Sequence, residues 1–289
     1  MDFTSTDLIY TLLACGAAIW MGVRLAKKQA DVYKIKADTN STLPSVNHVD
    51  YGDMRFLHLG TPWVQGSMKI SKPFEIHLEY VQRMMGWLLF TDLDQVQHLK
   101  AMQLGLGAAA LTKFCHLQLG MYTTAVELNP NVISTCRRLF HLPNDNARLQ
   151  VLLANAAEVV RQEIWHGTID ALQVDLYDHE AASPVLNSEA FYADCKKTLS
   201  KQGCMVVNLY GRHANIDSSI QTIARVFGKD NVWAFKPTTA GNTIVLAFQT
   251  VRQLEKNDLV DIAKKIQLKW SIPTEKWAKA LAPIHIALT

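Results

Sequence analysis

The sequence predicts an α/β chain: a mainly parallel sheet covered by helices, preceded by a small antiparallel β region and an apolar N-terminal helix. Apolar runs at 102–106, 122–126, 149–153, 171–176 and 205–209 alternate with helix-like segments. Continuous runs of this kind suit strands buried on both faces. A Gly-x-Gly turn, Gly105 and Gly107, follows the first run, and an acid, Glu127, closes the second. With 289 residues, 49% of them hydrophobic, the chain can bury roughly three quarters of its unfolded surface. That size suits one large domain with a small appendage, or two modest domains.

Taken in order, the elements begin with sixteen uncharged, mostly apolar residues between Asp7 and Arg24, followed by Lys27 and Lys28. A helix of that run reaches about 24 Å, short of the roughly 30 Å of a membrane core. A secretory signal would place positive charge ahead of the run, where Asp2 and Asp7 stand instead. A packed or self-associating helix and a membrane attachment through residues 8–25, with the body on the cytoplasmic face, are the readings carried forward. Lys34 to Pro44 is a polar linker. From Val46 to Ile70, short apolar runs broken by Tyr51-Gly52-Asp53, Gly60-Thr61-Pro62 and Gly66-Ser67 predict antiparallel hairpins. Pro73 can open a helix, along which Ile76, Tyr80, Met84 and Leu88 form a core-facing stripe. A later helix begins near Asn187 or Ser188, with Phe191, Cys195 and Leu199 on one face, and stops at Gly203. Runs at 232–236 and 243–249 predict an antiparallel edge pair, and Leu254 to Leu268 a closing helix.

Charge and cysteine usage narrow the function. The 29 Lys and Arg against 26 Asp and Glu give a formal charge of only +3, with no basic run carrying interleaved aromatics. Nucleic-acid binding has no footprint here. The five cysteines show no C-x-x-C, so neither a disulfide framework nor a metal site is expected.

The Gly-x-Gly turn permits close approach of backbone to a ligand. Ala109 and then Ala110 follow where a pyrophosphate loop carries its third glycine, which suits a nucleoside without phosphate, such as one derived from methionine. Glu127, 22 residues beyond Gly105, can accept both hydroxyls of a ribose. Asn155, after the run VLLAN, is either a contact for an adenine edge or a helix cap. The run ending in Asp175 continues as Asp175-Leu176-Tyr177-Asp178 and places two carboxylates where open sheets bind ligands. One can hold an ammonium group while the other accepts a proton as the nitrogen attacks. Tyr177 is either core or a lid over the substrate.

The segments QLGLGAAAL, TAVELNP and DALQVDLYDHEAASPVLNSEAFYADC, with LHLGTPWVQG and LEYVQRMMGWLLF, resemble the spermidine synthase family of polyamine aminopropyltransferases, especially its shorter bacterial members. The resemblance implies a seven-stranded Rossmann-like sheet, of the kind in class I S-adenosylmethionine-dependent methyltransferases, behind a small N-terminal β domain, and usually a homodimer. It implies transfer of an aminopropyl group from decarboxylated S-adenosylmethionine to an amine such as putrescine, with release of methylthioadenosine and no prosthetic group. By motif, Glu127 matches the ribose acid, Asn155 an adenine-side Asp, Asp175 the proton acceptor and Asp178 the aspartate that orients the amine. Gln65 matches a nucleoside-contacting glutamine, and Tyr80 opens the family's Tyr-x-Glu-Met motif. That motif continues as Val81-Gln82-Arg83, so Gln82 stands at a cation-binding carboxylate's position on the substrate side. His/Asn-x-Pro becomes Gly86-Trp87-Leu88, and Thr-Tyr-Pro-Ser-Gly becomes Thr238-Thr239-Ala240-Gly241, without its tyrosine. A methyltransferase using the intact donor and an inactive nucleoside-binding or assembly protein are the alternatives. The division read is 1–44 helix and linker, 45–73 β domain, and 74–289 catalytic domain.

Overall fold

Strand β4 (Lys100–Leu104) lies at the centre of an eight-stranded sheet and pairs in parallel with β5 (Tyr122–Glu127) on one side and β7 (Ile169–Val174) on the other. The computed structural model describes residues 43–177, 186–211 and 213–284. The N-terminal apolar segment and Asp178 lie outside the described residues. β6 (Leu149–Leu153) extends the sheet beyond β5, and β8 (Leu199–Tyr210) extends it beyond β7, both in parallel. The chain therefore winds outward in opposite directions from β4, leaving a crevice at the carboxyl ends of β4 and β7, where open α/β sheets bind ligands. Past β8 the sheet turns antiparallel through β10 (Asn242–Phe248), β9 (Val232–Phe235) and β11 (Leu281–Pro283).

This is the class I methyltransferase-like α/β fold the sequence predicts, with one strand more than the expected seven. The added strand, β11, ends on Pro283, which an edge tolerates because its missing N–H need not pair inward. The C-terminal helix runs Lys256–Trp270 and does not close the fold, since a short helix (Thr274–Ala278) and β11 follow it.

The three predicted hairpin strands form a separate antiparallel sheet, β1 (Val46–Tyr51), β2 (Met54–Leu59) and β3 (Val64–Lys69). Leu57 and Met68 of this sheet share a core cluster with Leu106, Val132 and Phe140. The contact is close: a Cβ on Gly66 would lie 2.6 Å from the backbone nitrogen of Ala108.

The helix expected to open at Pro73 begins six residues later, as α1 (Glu79–Arg83), and passes into a 3-10 turn over Gly86–Phe90. Its apolar stripe is nonetheless buried, with Met84, Met85, Leu88 and Leu89 at 0% exposure. Gly86 explains the break. It lowers helix propensity, and a Cβ there would come within 2.8 Å of the Phe235 ring. The helix over Glu189–Thr198 starts where expected, with the Ser188 hydroxyl accepting from the Phe191 amide at 3.1 Å, and ends at Thr198 because β8 begins at the next residue.

Candidate active site

The turn after β4 brings three segments together. Gly105 (φ +90°) lies against β7, where a Cβ would come within 2.2 Å of the Asp175 backbone oxygen. Gly107 (φ +49°) faces the Gln65 carbonyl of β3, which an added Cβ would meet at 3.0 Å. Ala109 also takes a left-handed conformation, φ +58°, at a cost that glycine would avoid. The backbone can thus pass under a ligand between β3 and the sheet.

Around this turn opens a cavity of about 550 Å³. Gln65, Tyr80, Gly105, Gly107, Glu127, Asn155, Asp175 and Tyr177, all singled out from sequence, line it. Gln82 does not line it. Its amide nitrogen donates instead to the Ile76 carbonyl at 3.0 Å. The neighbouring Arg83 is buried, paired with Glu79 at 2.8 Å, donating to the Lys236 carbonyl and lying over the Phe235 ring at 5.7 Å. The basic residue in the altered helix motif therefore braces the fold.

Glu127 ends β5 with its carboxylate tied to the main chain on both sides. Its Oε2 accepts from the Leu106 amide at 3.1 Å, and its Oε1 from the Asn129 amide at 2.8 Å. Burial raises its pKa, and these backbone donors oppose the shift. The Leu128 amide is a third main-chain donor to it, and the carboxylate still opens to the cavity, where it can accept a hydroxyl. Asn155 caps the short helix Ala156–Val159, its Oδ1 accepting from the Ala157 amide at 2.9 Å. The cap and the cavity position coexist, because the cap leaves the side-chain NH₂ for another partner.

Asp175 follows β7, its amide donating to the Leu104 carbonyl at 3.0 Å. Its Oδ1 accepts from Asn208 Nδ2 at 2.9 Å, and the Tyr80 hydroxyl donates to the same carboxylate. Burial pushes its pKa up, and the two donors pull it back. Tyr80 is held far from ionisation, first by burial and then by the Asp175 charge. Tyr177 is pinned under the site: its hydroxyl donates to the Asn208 carbonyl at 2.9 Å and accepts from the Tyr210 amide at 2.6 Å. Asn208 and Asn242 escaped the sequence reading, as did Trp63 and Tyr210, which also line the cavity. The one available signal was Asn208 itself, a polar residue inside the apolar run of β8.

Glu127 and Asp175 are the charged side chains among the described residues lining the cavity. Both open into it beside the glycine turn, from the ends of β5 and β7.

The sheet order, the glycine turn and an acid at the end of β5 define a protein of the class I methyltransferase-like fold. No family model matches the chain. The polyamine aminopropyltransferase of Neisseria meningitidis serogroup A is 34% identical over 219 residues, spanning 75% of this chain and 81% of the relative. That of Chromobacterium violaceum is 33% identical over 208 residues, 72% and 77% of the two chains. The chain belongs to the polyamine aminopropyltransferase family. Solved structures agree on the fold. A probable spermidine synthase from Corynebacterium glutamicum superposes with a TM-score of 0.62 at 16% identity, over 84% of this chain and 94% of its own. Human methyltransferase-like protein 13 in complex with SAH gives 0.60 at 18%, over 68% and 93%. A spermidine synthase in complex with the transition-state analogue AdoDATO gives 0.57 at 17%, over 84% of each chain.

Proposed function

We propose that the cavity binds decarboxylated S-adenosylmethionine and that an amine such as putrescine attacks the carbon of its aminopropyl group next to sulfur. The nitrogen lone pair forms the new N–C bond, and the electrons of the C–S bond return to sulfur, releasing neutral methylthioadenosine. The proton leaving the nitrogen passes to Asp175, whose burial favours the protonated form once it is made. Glu127 holds the ribose hydroxyls, Gln65 and Asn155 contact the nucleoside, and Tyr80 and Tyr177 border the amine. Asp178, which lies outside the described residues, would orient the amine.

The observation that carries this reading is the opening of Glu127 and Asp175 into one cavity from the ends of β5 and β7. Their charge also favours the decarboxylated donor over the intact one. The sulfonium and amine of either donor are attracted to them, whereas the extra carboxylate of the intact donor is repelled. Calorimetry on the full-length protein tests the choice: decarboxylated donor and methylthioadenosine should bind more tightly than the intact donor. Tight binding of the intact donor with rejection of the decarboxylated one would assign the site to methyl transfer.

The same reading takes residues 45–73 as a small β domain, residues 74–289 as the catalytic domain, and the protein as a cytoplasmic homodimer. Among the described residues no helix is long and apolar enough to cross a membrane. Residues 8–25 would serve as a packed helix or as an attachment to the inner membrane face. Fractionation of full-length protein decides between them, since recovery in detergent-released membrane pellets would favour attachment.

A further inference from the structure

Behind Asp175 runs a chain of buried side-chain amides. Asn208 donates to Asp175 Oδ1 at 2.9 Å, and Asn242 Nδ2 donates to Asn208 Oδ1 at 3.0 Å. Asn242 is fixed in turn by Thr238: its amide donates to Thr238 Oγ1 at 3.1 Å, and its carbonyl accepts from the Thr238 amide at 2.8 Å. Asn208, Asn242 and Thr238 are all buried. The polarity of the chain has one solution. An ionised carboxylate only accepts, so Asn208 must present its NH₂ to Asp175 and its oxygen to Asn242, which must then present its own NH₂. Three strands carry the path, from the end of β7 through β8 to the start of β10, and it ends in the Thr238–Gly241 turn.

We propose that Asn208 and Asn242 are positioning residues that lock the orientation of Asp175 and favour its ionised form, making the Thr238–Asn242 turn part of the proton-accepting apparatus. The inference rests on the reading of Asp175 as proton acceptor. Neutral amides are suited to the task. They supply a charge-assisted hydrogen bond to the carboxylate without placing a second cation that would neutralise it as a base. The titratable groups facing the carboxylate among the described residues are Tyr80 from α1 and Tyr177 from its own segment, both held protonated by burial. Beside the Tyr80 hydroxyl, the amide chain is thus a donor path that substitution can remove without adding or deleting a charge.

Asn242→Ala and Asn208→Leu test this by two readouts. The first is the ¹³C-carboxyl titration of Asp175 in the ligand-free protein, assigned by its disappearance in Asp175→Asn. The midpoint should move to higher pH in both variants, more in Asn208→Leu. The second is the pH profile of kcat. Its acid limb should move the same way, with turnover near neutrality down roughly tenfold for Asn208→Leu, recovering as pH rises. Donor affinity should change less than turnover does, because Glu127 is untouched. A midpoint that does not move in Asn242→Ala overturns the proposal, and that variant decides alone if Asn208→Leu fails to fold. If the midpoint moves while the unsubstituted protein transfers no aminopropyl group, the relay stands and the reaction assignment falls.

Discussion

Gly105 and Asp175 meet backbone to backbone: a Cβ on Gly105 would sit 2.2 Å from the Asp175 carbonyl oxygen, where φ at Gly105 is +90°. The glycine turn and the end of β7 at Asp175 are thus one structural unit. Gly105→Ala should push the two apart and cost about 3 kcal/mol of stability, combining left-handed strain with overpacking. Chemical denaturation measures the loss, and an unchanged midpoint would show that the contact can relax freely.

Glu127 faces a stricter requirement than charge. Both of its oxygens accept from backbone amides, of Leu106 and Asn129. In Glu127→Gln, whichever way the amide turns, its NH₂ opposes one of those N–H donors. Nucleoside affinity should fall roughly 30- to 100-fold, the equivalent of about 2–3 kcal/mol, as read by calorimetry with methylthioadenosine. Affinity within threefold of the original would remove Glu127 from the ribose site.

Lys113 gives a pH signature remote from the chemistry. It is buried behind the glycine turn, its Nζ donating to the Pro73 and Phe140 carbonyls at 2.7 Å each. Burial lowers its pKa from 10.5 to about 8. The folded protein therefore binds fewer protons than the unfolded chain between those values, so this group makes stability rise with pH from about 8 to 10.5. Tyr177 and Tyr192, raised by burial, act in the opposite direction at alkaline pH. The contribution must be read as the difference between the original protein and Lys113→Met across that window. A difference that is flat with pH would contradict it.

Much of this was legible in the sequence, for a physical reason. The strands of a parallel sheet are buried on both faces, so β4, β5, β6, β7 and β8 announce themselves as apolar runs. Gly105, Glu127 and Asp175 stand at the ends of three of those strands, so chain order alone brings them to one crevice. What was not legible depends on contacts between distant segments. Position 86 has no room for a side chain because its backbone fits against Phe235, nearly 150 residues away in sequence. Gln82 is a local exception: its amide donates to the Ile76 carbonyl, a side-chain direction that residue type and spacing do not set. Asn242 gains meaning only when β10 pairs antiparallel with β8 and sets Ile244 opposite Asn208.

Asp175 also carries a trade between stability and activity. Because burial raises its pKa, its charged form weakens the ligand-free fold at pH above that raised value, and the penalty disappears on acidification. Asp175→Asn should therefore melt no lower than the original protein at neutral pH. It should bind methylthioadenosine with nearly unchanged affinity.

The most direct measurement is release of methylthioadenosine from decarboxylated S-adenosylmethionine and putrescine by purified full-length protein, with and without Asp175→Asn. The unsubstituted protein should release it, and the variant should lose at least a hundredfold in rate, within the range attributed to a positioned general base. Release by the variant at the original rate would contradict the role of Asp175. Absence of release from both, with any diamine, would contradict aminopropyl transfer itself.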